Sequence, residues 1–107
     1  MIANKVHRAT GTAAIASTLA PGRQIELVCV KLHLSAAGGA AENFTVTIDS
    51  ATNAVYDVVL FSQDMTTVSD VVWVPDRPIP IMSDEIDFAY TNSNARTYGL
   101  EVSFKVI

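Results

Sequence analysis

Apolar and polar residues alternate with a period of two along most of this chain, and the clearest run lies between Pro78 and Ile107. There Tyr98, Leu100, Val102, Phe104 and Val106 fall on one side of an extended segment, with Thr97, Gly99, Glu101, Ser103 and Lys105 on the other. Just upstream, Ile86, Phe88 and Tyr90 alternate with Asp87, Ala89 and Thr91, and Asn92-Ser93-Asn94-Ala95 supplies a turn between the two runs. Successive strand side chains point to opposite faces, so this third of the chain reads as one half-buried antiparallel hairpin. Its apolar face requires a second sheet to cover it.

The upstream sequence supplies that sheet. From Gln24 to Leu34, Val28, Val30, Leu32 and Leu34 share one parity and Ile25, Leu27 and Cys29 the other, which predicts a central strand covered on both faces along its first half. Phe44, Val46 and Ile48 alternate with Thr45, Thr47 and Asp49; Ser50 to Asn53 turns the chain, and Ala54 to Phe61 returns as a second hairpin. Thr67 to Val74 is a further strand. Pro75, Pro78 and Pro80 lack ladder donors, so Pro75 to Pro80 is expected to be an extended crossing from one sheet to the other, before a turn at Ser83-Asp84. No helical period of useful length appears. Strand signals at intervals of about ten residues are those of an all-β protein, an antiparallel β-sandwich of jelly-roll type.

That sandwich is expected to occupy residues 21–107, preceded by an extended N-terminal arm at 1–20. The arm is small, polar and rich in Ala and Thr, with short strand signals at Lys5 to Thr10 and Ala13 to Thr18. Two readings stand side by side: an extension lying along a sheet edge of its own or a neighbouring chain, or local strands of the same sandwich.

Composition adds a constraint on the surface. At 107 residues the chain fits one domain. Charged residues make up 17% and apolar ones 50%, where about 25% charged is usual for a soluble domain. Either part of the outside is covered by other subunits, or the core is simply well filled. The net charge of −4 is unevenly spread: up to Ala40, Lys5, Arg8, Arg23 and Lys31 stand against Glu26 alone, whereas the remainder is strongly acidic. An acidic body with a basic N-terminal section suits head-to-tail docking of copies. Four scattered cations with no interleaved aromatics argue against nucleic-acid binding.

No run approaches the length of a membrane span. Lys5 and Arg8 ahead of an Ala-rich stretch imitate a signal peptide faintly, but Gly11, Thr12, Ser17 and Thr18 interrupt any apolar region, and no leader is expected. Cys29, the single cysteine, precludes an internal disulfide and, between Val28 and Val30, is expected to be a buried, inert thiol.

Chemistry is sparse. His7 and His33 have no partner at a zinc-like spacing. Asp84, Glu85 and Asp87 cluster at one turn, yet Glu85 and Asp87 share a strand face, Asp84 points elsewhere, and no loop of alternating oxygen ligands follows, which reads as a solvated acidic rim rather than a calcium site. The Gly-x-Ser-x-Gly pattern is absent, and Gly38-Gly39 precedes no helix that would bind phosphate. Asn43-Phe44-Thr45 matches a glycosylation sequon without a secretory context. Trp73 and Tyr98 are the aromatic residues placed to stack on sugars, and their apolar neighbours assign them instead to the core. The expectation is a protein that is not an enzyme, with no catalytic, cofactor-binding or metal residues.

From Val72 to Ile107, the elements Trp73-Val74-Pro75, Pro78-Ile79-Pro80-Ile81, the Asp84 turn, Glu85-Ile86-Asp87-Phe88-Ala89-Tyr90 and a closing amphipathic strand resemble the small β-sandwich structural proteins of tailed bacteriophages and prophages. The resemblance spans Arg23 to Ile107, one of pattern without a diagnostic motif, so no functional residue is carried over. It implies a virion structural protein, assembled in the host cytoplasm, that decorates or cements a capsid as a homo-oligomer in contact with the major capsid protein or another virion protein, with no nucleic acid and no membrane. The alternative is a tail or fibre module that recognises a carbohydrate or receptor through the loops Ser35 to Asn43, Ser62 to Met65 and Asn92 to Ala95.

Overall fold

The computed structural model describes residues 3–77 and 79–107. Among these residues the strands are β1 (Ala3–Gly11), β2 (Ile15–Leu19), β3 (Ile25–Leu34), β4 (Asn43–Asp49), β5 (Val58–Asp64), β6 (Asp70–Trp73), β7 (Ile79–Ile81), β8 (Glu85–Tyr90) and β9 (Tyr98–Val106), with one 3-10 turn at Ala54–Tyr56. They form two antiparallel sheets packed together: the first runs β1-β9-β3-β6, with β7 also on β3, and the second runs β2-β8-β4-β5. The expected β-sandwich is therefore what this sequence builds.

Its core lies between the inward faces of β3, β4, β8 and β9, where Leu27, Leu32, Phe44, Val46, Phe88 and Leu100 are buried. Each such side chain removed from water contributes about 1.5–3 kcal/mol. The two apolar parities of β3 have one destination. Leu27 pairs with Phe104 and Cys29 with Ser103, so Val28 is an extra residue, a β-bulge that flips the alternation. Ile25 and Leu27 before it, and Val30, Leu32 and Leu34 after it, all face the same core, and β3 is covered on one face rather than two. The bulge also turns Cys29 toward the outer face, where the thiol is half-buried instead of sealed in the core.

The C-terminal strands depart from the expected hairpin. β8 pairs with β2 and β4, and β9 with β1 and β3, so the two lie in different sheets and face each other across the core. A period of two is satisfied equally by strands side by side and by strands face to face; the linking turn decides. Asn92 and Ala95 both adopt left-handed backbone, with φ of 52° and 50°, and the turn carries the chain from one layer to the other. The β4–β5 pair is a hairpin as read, although Ala54–Tyr56 is a 3-10 turn and the strand continues to Asp64, past the expected connection at Ser62.

The proline-rich segment also behaves differently from a crossing. After a bend at Asp76 and Arg77 the chain returns to the same sheet, where Ile79, Pro80 and Ile81 pair with Leu27, Glu26 and Ile25. Proline is tolerated there because β7 is an edge strand. Pro78 lies outside the described residues, and the change of sheet comes at Met82 to Asp84.

At the N-terminus both expected strand signals pair with strands of this chain, at the edges of its two sheets. Ala3–Gly11 pairs along the whole of β9, and Ile15–Leu19 along β8. Ile15 and Leu19 are buried members of the core. Each strand occupies the outer edge of its sheet, and His7 joins them: its Nε2 is 2.8 Å from Ser17 Oγ, and its ring stacks on Phe88 at 6.0 Å. On the opposite flank Phe61 of β5 stacks on Trp73 of β6 at 5.2 Å.

Candidate functional site

Two of the three loops singled out in the sequence meet at one end of the sandwich and brace each other, together with the Met65–Val68 turn. Gly38 donates its amide to Met65 O at 2.9 Å, Gly39 to Thr66 O at 2.9 Å, and Met65 to Glu42 O at 3.0 Å. The Asn92–Ala95 turn reaches over: Asn94 Nδ2 donates to Gly38 O at 2.8 Å and Arg96 Nε to Ala37 O at 2.9 Å. Asn92 is the buried polar residue of this end. Its amide donates to Thr12 O, Ala13 O and Arg96 O, and its Oδ1 accepts from Arg96 N, so one side chain ties the β1–β2 turn to the β8–β9 turn. Beneath the loops the buried Tyr90 hydroxyl has no hydrogen-bond partner within the protein, and burial raises its pKa above the usual phenol value. The candidate Ser62–Met65 is largely strand β5, leaving Met65 buried beneath Gly38.

The outer face of the first sheet carries a charged row. Arg8, Glu101, Lys31 and Val72 are successive neighbours across β1, β9, β3 and β6. Arg8 Nε donates to Glu101 Oε2 at 2.9 Å and Lys31 Nζ lies 3.6 Å from Oε1. The hydrogen bond from Arg8 leads the effects that hold the Glu101 carboxyl below its ordinary range. The next row is Thr10, Gly99, His33 and Asp70, and Gly99, lacking a side chain, leaves a shallow groove of about 470 Å³ between them. His33 Nδ1 is bonded to Asp70 Oδ1, and Ser69 Oγ donates to the other carboxylate oxygen. The His33 bond, with that of Ser69 next, lowers the Asp70 pKa. Serine and histidine thus sit on opposite oxygens of the acid; in a nucleophilic triad the histidine stands between the other two.

On the outer face of the second sheet the acidic turn gains a member that sequence spacing did not reveal. Asp49, Glu85 and Asp87 bring carboxylate oxygens within 4.8 Å of one another, because β4 and β8 pair Asp49 with Glu85 and Thr47 with Asp87. Glu85 and Asp87 share a face as read. Asp84 serves elsewhere, accepting from Ala51 N at 2.9 Å. Desolvation, then the charges of Asp57, Asp87 and Asp84, raise the Asp49 pKa. The signal for Asp49 was the β4–β8 register, which a single strand's alternation does not contain.

The remaining sequence candidates make contacts within the fold. Trp73 packs against Phe61, Tyr98 packs on the core, and Asn43 donates from Nδ2 to Ser62 Oγ at 2.8 Å. Among the described residues no helix is long and apolar enough to cross a membrane.

The flank formed by β5 and β6 was not visible in the sequence as a surface. Both are terminal strands; β5 presents Val58 and Val59 to solvent and β6 Val72, with Val74 just beyond β6 and Val55 and Tyr56 just before β5 also exposed. Val72 is 68% exposed and Val74 62%. Exposed apolar residues gathered along unpaired strand edges are suited to receiving another polypeptide. Comparison of the chain with protein-family models and with curated proteins gives no match.

Proposed function

We propose that this chain is a non-enzymatic structural subunit of a tailed-phage virion, decorating or cementing the capsid as a homo-oligomer in contact with the major capsid protein or another virion protein. The observation that carries the reading is the open β5–β6 flank, whose exposed valines lie on edges with unpaired backbone groups. Low overall charge supports it, since a surface shared with neighbours needs fewer charges. The strand order supports it too: with β6 and β7 taken as one interrupted strand, it follows the winding of a jelly roll, a fold common in capsid proteins. The test is to measure the native mass of the purified chain and its co-sedimentation with tailed-phage capsid shells. Assembly above 11.5 kDa with stoichiometric shell binding is expected; a monomer that ignores every virion component would end this reading.

A second reading is supported by the convergence of the Ser35–Asn43 and Asn92–Ala95 loops into one hydrogen-bonded end. Rigid loops on a scaffold suit recognition of a carbohydrate or receptor. Reproducible glycan-array binding, abolished by changes at Asn94 and Arg96, would favour it over the capsid role.

A further inference from the structure

We infer that copies of this chain join head to tail, β6 of one against β1 of the next, so that the first sheet continues from subunit to subunit. The inference rests on the structural-subunit reading and names its surface. Charge is the argument for a second copy as the occupant. From Ala3 to Ile25 the chain contains Lys5, Arg8 and Arg23 and no acid; from Asp49 to Asp76 it contains five aspartates and no lysine or arginine. Folding places β1 at one edge of the first sheet, and β6, between Asp70 and Asp76, at the other. Lys5 and Arg8 lie on β1 and Asp70 on β6, so the two edges are complementary in charge, and among the described residues neither edge strand has a second partner. An isologous β6–β6 contact would instead bring two acidic edges together.

Geometry matches. β1 and β3 run the same way and β6 runs against both, so a second copy displaced across the sheet brings its β1 antiparallel to β6. Continuing the rows places Arg8 of the incoming copy beside Val72 and diagonal to Asp70, within reach of a long side chain. Val6, 45% exposed, falls beside Val74. Arg8 has charge to share, because it and Lys31 both lean on Glu101. A heterologous contact of this kind closes into a ring or extends as a filament.

The test is sedimentation velocity on the full chain. Wild type is expected above monomer mass in low salt, shifting toward monomer as salt screens the contact. Val72→Lys sets like charges face to face, and Arg8→Glu removes the attraction to Asp70; each weakens association by at least about tenfold. The double variant V72K/R8E opposes lysine to glutamate and restores it. Arg8→Gln, which adds no acid beside Glu101, acts in the same direction as Arg8→Glu and guards against misfolding. Association insensitive to Arg8, or a double variant weaker than either single one, overturns the inference. A chain that stays monomeric yet co-sediments with shells overturns it while leaving the structural-subunit reading intact; a chain that self-associates but binds no virion component does the reverse.

Discussion

Replacing Gly38 by alanine is expected to destabilise the protein more than any other single methyl addition at a glycine here. A Cβ at this position would stand 2.4 Å from Tyr90 Oη, 2.6 Å from the backbone oxygen of Met65 and 3.1 Å from Met65 Cβ. The tyrosine is buried on β8 and the carbonyl is main chain, so neither neighbour yields without moving its strand or loop. Overpacking of a filled site costs about 1–3 kcal/mol. The displaced segment also holds the Gly38 amide bonds to Met65 and Val68 and the Asn94 bond to Gly38 O, each contributing about 0.5–1.5 kcal/mol. Overpacking with these bonds weakened rather than lost predicts a cost of about 2–4 kcal/mol, or about 10–25 °C in Tm for a domain of this size. Chemical denaturation is the assay, with Gly99→Ala as the control, since a Cβ there meets nothing within 4 Å. Tyr90→Phe removes the orphaned hydroxyl; it should be neutral or stabilising alone and recover part of the Gly38→Ala loss in a double-mutant cycle. Gly38→Ala within about 0.5 kcal/mol of wild type, the range of an ordinary surface change, would refute the packing argument.

Other consequences follow from the same structure. Asn92→Ala strips four hydrogen bonds from a buried, left-handed position and is expected to cost about 3 kcal/mol or more by urea denaturation; Asn92→Gly, which keeps the backbone freedom, recovers only the smaller conformational part. Burial lowers the His7 pKa from its ordinary 6.5, so the unfolded chain takes up the proton first: the stability from a neutral His7 is fully present above about pH 6.5 and is lost as pH falls toward the folded value. His7→Gln, which can still bond Ser17, should flatten that part of the Tm–pH curve, and an unchanged slope would contradict the role given to burial. Asp49 shifts the opposite way, so its ionisation opposes folding as pH rises; Asp49→Asn is expected to raise Tm at neutral pH, more in low salt than in high.

How far the sequence carried the fold depended on whether a feature is local. Alternation located β3, β4, β8 and β9 because it is a property of each strand alone. It could not say which strands are neighbours, and β8 and β9, read as a hairpin, proved to face each other across the core. Val28 shows a second limit: a bulge changes parity without changing composition, so a strand with one buried face resembled one with two. The Ala- and Thr-rich start carries few large apolar residues, yet Ile15 and Leu19 suffice to seat β2, and β1 is held chiefly by its ladder to β9. The candidate surfaces were least legible. Asp49 meets Glu85 through register, and β5 and β6, which belong to different sheets, share a flank through the stacking of Phe61 on Trp73; neither is a property of one strand's alternation. The charge division along the chain was readable from the start; only folding sets Arg8 of β1 and Asp70 of β6 on opposite edges of one sheet.

Hydrogen exchange followed as a function of protein concentration tests the central claim most directly. If edge strands are the working surface, amides of β1 and β6 gain protection as the chain assembles, while those of β3 and β9, already paired on both sides, stay unchanged. Protection that remains the same at every concentration, with a mass fixed at 11.5 kDa, would contradict it.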